Sequence, residues 1–139
     1  MSATGERGAT LIEAMVVLAI MSLGTLLVFP TFDRLAQAGA LRQTAERLAA
    51  DLRRTRAAAL SAGTPASLVP EAGGVAYRIG ADRRRDLPRG FTLAGAAAVT
   101  FFPDGTARGS GLVVEGTGRR VAIRVDPVTG AVTSGESGR

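Results

Sequence analysis

Glu13 is the residue with the most demanding chemistry. It is the one ionisable side chain between Ala9 and Phe32, and the sixteen residues that follow it, Ala14–Phe29, carry no charge. An ionised carboxylate inside an apolar membrane helix costs on the order of 2–3 kcal/mol and ordinarily has a partner. The stretch itself holds no cation to meet it. The other reactive groups are arginines: all 17 basic residues are Arg, against 12 acids. Arg83-Arg84-Arg85, with Arg89 nearby, reads as a solvated basic loop flanked by Asp82 and Asp86. No aromatic residue adjoins it on which a base could stack. Gly118-Arg119-Arg120-Val121, followed by Arg124, is a second set of arginines, a side chain that favours bidentate contacts with anions. Of the acids, Glu71, Asp82, Asp86, Asp104, Glu115 and Asp126 are scattered without the spacing of a calcium loop, so no metal and no cofactor is expected. The chain has no His and no Cys, which removes Ser-His-Asp and Cys-His catalysis, the commonest metal ligand and disulfides. An enzyme is not expected.

These residues must be positioned by a long helix and a set of short strands. The segment Ala9–Phe29 spans roughly 31 Å as a helix, the thickness of a bilayer's hydrocarbon core. Pro30 lies within the continuing pattern, where it removes a backbone hydrogen bond, and Gly24 and Gly39 are further weak points. Beyond Phe32 the pattern turns amphipathic: Leu41, Ala45, Leu48, Leu52 and Ala59 or Leu60 form one apolar stripe. Arg42, Glu46, Arg47, Asp51 and Arg54 lie off that stripe, and Arg42–Glu46 and Arg47–Asp51 are spaced to pair on the outer face. Gly63 and Pro65 predict a stop at Ala62.

From Ala66 short β-favouring runs alternate with Gly and Pro. Strands are predicted at Ala66–Val69, Val75–Ile79, Phe91–Leu93, Val99–Phe102, Leu112–Glu115, Arg120–Asp126 and Ala131–Thr133. Val121, Ile123 and Val125 alternate with polar neighbours, as a strand with one buried face requires. Asp104-Gly105 and Pro127-Val128-Thr129-Gly130 are turn signals. The fold class is α+β, a long N-terminal helix packed on an antiparallel β-sheet domain.

Gly8-Ala9-Thr10-Leu11-Ile12-Glu13 and the Val/Leu/Ala/Ile run after it resemble the leader of type IV pilins and type II secretion pseudopilins. In place of Ala9 that family most often carries Phe or Met. The Ala/Leu/Arg-rich helix, Phe101-Phe102-Pro103-Asp104-Gly105 with Gly109–Leu112, and Val125-Asp126-Pro127-Val128-Thr129-Gly130-Ala131-Val132 resemble its GspH/FimT-type branch. The last run is closer to the H pseudopilins. The resemblance implies a type IV pilin-like fold with a leader at 1–8, a transmembrane and fibre-core helix at 9–32, and a periplasmic domain at 33–139, made of a helix at 33–62 and a sheet at 66–134. It implies cleavage after Gly8 and N-methylation at Ala9. It also implies that Glu13 neutralises the amine of a neighbouring subunit, and that Gly24–Pro30 is a stretch that can melt as subunits pack; the other reading of Gly24 and Pro30 is a tolerated kink in a membrane helix.

A minor pseudopilin of a type II secretion system is the function so implied, a structural subunit near the tip of a periplasmic fibre that drives export of folded proteins. Its partners would be other pseudopilins, major and minor, the prepilin peptidase, the inner-membrane assembly platform and the membrane itself. Arg7 and the starting amine would hold the N-terminus on the cytoplasmic side. The chain would cross the inner membrane once, with its C-terminal domain in the periplasm. The alternative is a FimT-like minor pilin that binds DNA during natural transformation. Such pilins use a Gly-Arg-x-Arg motif near the C-terminus, whereas here Gly118-Arg119-Arg120-Val121 lacks the final Arg and only Arg124 lies near. Nucleic acid is therefore not the expected partner.

Overall fold

The computed structural model describes residues 10–95, 97–116 and 118–136, without the side chains of 25–37 and 136. The chain divides into two compact units, Met1–Ala36 and Gln37–Arg139. One helix, α1, runs from Leu11 to Ala62. It ends as the Gly63-Pro65 signal requires. Gly63 takes a left-handed φ of 66° and its N–H bonds the Ala59 carbonyl at 3.1 Å, closing the last turn. Among the described residues no helix is long and apolar enough to cross a membrane.

Nine strands follow among the described residues: β1 Ala66–Pro70, β2 Ala76–Ile79, β3 Arg83–Asp86, β4 Phe91–Ala94, β5 Val99–Phe101, β6 Ala107–Arg108, β7 Gly111–Gly116, β8 Arg119–Val125 and β9 Val132–Glu136. All pairings are antiparallel. They form two sheets, a five-stranded one in the order β3-β2-β1-β5-β6 and a four-stranded one in the order β4-β7-β8-β9. The α+β class, a long helix followed by antiparallel sheet, stands. The sheet anticipated from sequence is thus two.

The two sheets and α1 share one core. Leu41, Ala45, Leu48, Leu52 and Ala59 are buried as the stripe predicts, together with Ala49, whereas Leu60 is exposed. Against them pack Leu68, Val99, Phe101, Leu112, Val114, Val121, Ile123 and Val125. Leu48, Leu52 and Phe101 are wholly enclosed, and each such side chain contributes about 1.5–3 kcal/mol by leaving water. Two buried threonines on the helix, Thr44 and Thr55, return their hydroxyls to the carbonyls of Ala40 and Asp51 at 2.8 Å, so neither leaves a donor unpaired.

Three expectations are corrected. Arg83–Asp86 is not a loop but the edge strand β3, paired with β2 from Ile79↔Arg83 to Ala76↔Asp86. Salt bridges from Arg84 to Glu71 at 2.9 Å and to Asp86 at 3.0 Å, beside Arg78–Glu71 at 3.1 Å, neutralise charges that would otherwise repel. The short strand β6 was not anticipated at all. Asp51 does not face outward opposite Arg47: its side chain is 3% exposed and lies under β2 and β3. There its Oδ2 accepts the Tyr77 hydroxyl at 2.8 Å and meets Arg85 Nε at 3.3 Å, while Oδ1 meets Arg54 at 3.2 Å. A buried carboxylate held by two guanidinium groups and a phenol has its oxygens satisfied, which is what makes burial tolerable.

Candidate functional site

The first described turn of α1 is built around Glu13. Thr10 precedes the helix, and its Oγ1 accepts the Glu13 N–H at 3.3 Å, while its carbonyl accepts the Ala14 N–H at 3.1 Å. Thr10 is therefore the N-cap and Glu13 the third helical residue, where the positive end of the helix dipole favours a carboxylate. Around and after it every described side chain to Gly24 is exposed. Leu11 is 80% exposed, Ile12 72% and Ile20 67%. Ser22, within this stretch, turns its hydroxyl back onto the carbonyls of Leu18 and Ala19 and so pairs its own donor inside the helix. The result is an apolar rod with one carboxylate at its head. Contiguous apolar surface of this kind marks a membrane or protein contact rather than a water-facing helix.

Gly8 and Ala9 lie outside the described residues. Gly24 and Pro30 both fall within α1, and a Cβ added at Gly24 would meet nothing within 4 Å.

The arginines taken together from sequence are separated by the pleat of β8. Arg120 and Arg124 share the face of Ala122, while Arg119 has the parity of Val121 and stands at the strand's start. Arg120 is engaged: its Nε lies 2.7 Å from Oε1 of Glu115, its cross-strand neighbour. Elsewhere Arg53 and Arg56 serve as fasteners, donating to the carbonyls of Val132 at 3.3 Å and Thr129 at 2.8 Å. Arg108 stacks over Phe102, 5.7 Å from the ring centre. Much of the basic charge is thus spent inside the domain.

The acids behave likewise. Asp126 Oδ1 accepts the N–H groups of Val128 and Thr129 at 2.9 and 2.8 Å, fixing the turn before β9, and the Thr129 bonds chiefly hold its carboxyl below the ordinary range. Asp104 is lowered by its bonds from the Thr106 hydroxyl and N–H, and Glu71 by those from Arg84 and Arg78. Burial, then the bond to Asp51, pushes the Tyr77 hydroxyl well above its usual value, so it stays a donor. Among the described residues no three acids converge as a metal site. Sequence reasoning missed Asp51, Tyr77 and Arg85 as a unit. The available signal was that Asp51 sits three residues after Leu48 and four before Thr55, beside the stripe rather than opposite it.

A concavity of about 790 Å³ lies on the four-stranded sheet and is lined by Ala94, Gly111, Val113, Ala122, Arg124 and Asp126 among others. It is shallow and holds no converging set of catalytic groups.

Comparison with known proteins accounts for both units. Residues 44–130 match the family described as type II transport protein GspH. Residues 4–29 match the prokaryotic N-terminal methylation motif. Two crystal structures of the type IV minor pilin FimU of Pseudomonas aeruginosa are similar in fold. One is 18% identical with a TM-score of 0.57, covering 68% of this chain and 91% of that one. The other is 19% identical with a TM-score of 0.58, covering 69% and 88%. A comparison with curated proteins returns no match.

Proposed function

This chain belongs to the GspH family of type II transport proteins, and from that premise we propose that it is a minor pseudopilin of a type II secretion system. It joins a short periplasmic fibre near its tip, with other pseudopilins, and has no catalytic task. The observation that carries this reading is the head of α1: an exposed apolar rod with Glu13 in its first turn, in a chain that also matches the methylation motif. An apolar helix ends in one of two places, lipid before assembly or a bundle of like helices after it.

On this reading the prepilin peptidase cuts between Gly8 and Ala9 and methylates the new amine. The helix at 9–32 holds the subunit in the inner membrane as a single span, with the domain in the periplasm, until the assembly platform extracts it. In the fibre, Glu13 meets the amine of the next subunit, and Gly24 and Pro30 mark where the helix loosens. A role in binding DNA through Arg119, Arg120 and Arg124 is the less supported reading, because Arg120 already pairs with Glu115 and Arg119 sits on the opposite face of the strand. The deciding experiment is a deletion strain assayed two ways. Loss of exoproteins from the medium with transformation intact supports secretion; lost transformation with normal secretion would transfer the chain to the DNA-uptake role.

A further inference from the structure

Each sheet has two edges, and three of the four are closed. β3 is four charged residues, Arg83–Asp86, a composition that discourages a further strand. β6 is two residues long. β4 is closed by a main-chain bond, since the Leu93 N–H donates to the Gly74 carbonyl at 2.8 Å. β9, Val132–Glu136, is different: it has no charge before Glu136 and no proline.

The direction of its backbone groups follows from the register. The Val125 N–H donates to Ser110, toward β7, so by alternation Arg124 and Ala122 are the β8 residues that bond β9, through Thr133 and Gly135. Val132 and Ser134 then point their N–H and C=O groups away from the sheet. The Val132 carbonyl is taken by Arg53 of α1 at 3.3 Å, as that direction requires. Among the described residues nothing takes the N–H or C=O of Ser134. Beside it lies a crevice of about 220 Å³ between α1 and β9, walled by Arg42, Ala45 and Glu46 and floored by Val121.

We propose that this edge is a strand-docking site, and that its occupant is an extended segment of a different subunit of the fibre, added to β9 with Ser134 supplying the central pair of hydrogen bonds. A second copy of this chain is the wrong occupant. Antiparallel joining of two β9 edges puts a two-fold axis normal to the sheet, which reverses every direction lying in it. The helices packed on the two sheets would then run opposite ways, whereas subunits drawn from one membrane run in one direction. The proposal rests on the fibre reading given above and names the surface through which the subunit is held.

The test uses the full-length chain in detergent, alone and co-purified with the other pseudopilins of its own system. Amide exchange at Ser134 is expected to be fast in the isolated chain and at least about tenfold slower in the complex. Ser134→Pro removes only the outward N–H and leaves the β8 ladder intact, so it should abolish co-purification while the thermal unfolding of the chain persists. Ser134→Ala, which keeps the N–H, should co-purify like the wild type. Protection of Ser134 in the isolated chain that grows with its concentration would overturn the assignment in favour of self-pairing. Unchanged exchange in a complex that does form, or normal recovery of Ser134→Pro, would overturn docking at this edge and leave the fibre role standing. Failure of the wild type to co-purify with any pseudopilin would overturn both.

Discussion

The two described stretches of α1 obey opposite rules. From Leu41 to Ala59 the helix buries one face against the chain's own strands and exposes the other. From Leu11 to Gly24 it exposes everything, including Leu, Ile, Val and Met. Helix propensity is satisfied in both, so propensity does not distinguish them; what differs is where the apolar surface goes. The Leu41–Ala59 stretch is completed by strands of the same polypeptide. On the fibre reading the Leu11–Gly24 stretch is completed by lipid or other helices, and its one charge faces the same demand.

The largest effect that can sharpen this contrast is Leu52→Ala, which opens a cavity in the core and should lower domain stability by about 2–5 kcal/mol. Leu18→Ala, on the exposed stretch, should leave the unfolding of the domain unchanged. Chemical denaturation of both variants measures the difference, and equal losses would show that the first stretch is held by the domain after all.

A smaller effect is expected at Tyr77→Phe. It deletes one bond to a buried carboxylate that keeps Arg85 and Arg54, so the loss should be about 1–3 kcal/mol. A double-mutant cycle with Asp51→Asn should show coupling between the two positions.

This network also shows where the sequence is legible and where it is not. The helix stop at Ala62, the stripe, and seven of the nine strands follow from local signals: Gly63-Pro65, the 3–4 spacing of Leu41 to Leu52, and alternation such as Val121-Ala122-Ile123. β3 does not, because Arg-Arg-Arg-Asp becomes a strand only through partners distant in sequence, Glu71 and Asp51, that neutralise it. Asp51 is hidden for the same reason. The uncharged run with its single carboxylate is legible because it is local, whereas the Thr10 cap and the pleat that separates Arg119 from Arg120 and Arg124 show only in the structure. The division into two sheets is likewise set by long-range pairing.

The smallest effect is on acid stability. Glu71, Asp104 and Asp126 have carboxyls held below their ordinary values of 4.5, 3.8 and 3.8. A lowered native pKa means that the unfolded chain binds more protons in this range, so these groups stabilise the domain above the ordinary values and cease to do so as pH falls through their native ones. Thermal unfolding of the chain should therefore fall as pH drops from about 5 toward 2, and Asp126→Asn should flatten part of that fall. Midpoints that hold steady over the range would contradict the turn-fixing role of these acids.

The central claim is that Glu13 is carried for assembly and not for anchoring, and Glu13→Val tests it most directly. Removing the carboxylate relieves an insertion cost on the order of 2–3 kcal/mol, so the chain should be present in the membrane at no less than its normal level. On that claim it leaves a neighbouring subunit's amine buried in the fibre without its counter-charge, a loss of about 3–5 kcal/mol, so co-purification with the other pseudopilins and secretion should both collapse. A variant present at normal level that still assembles and secretes would contradict the account.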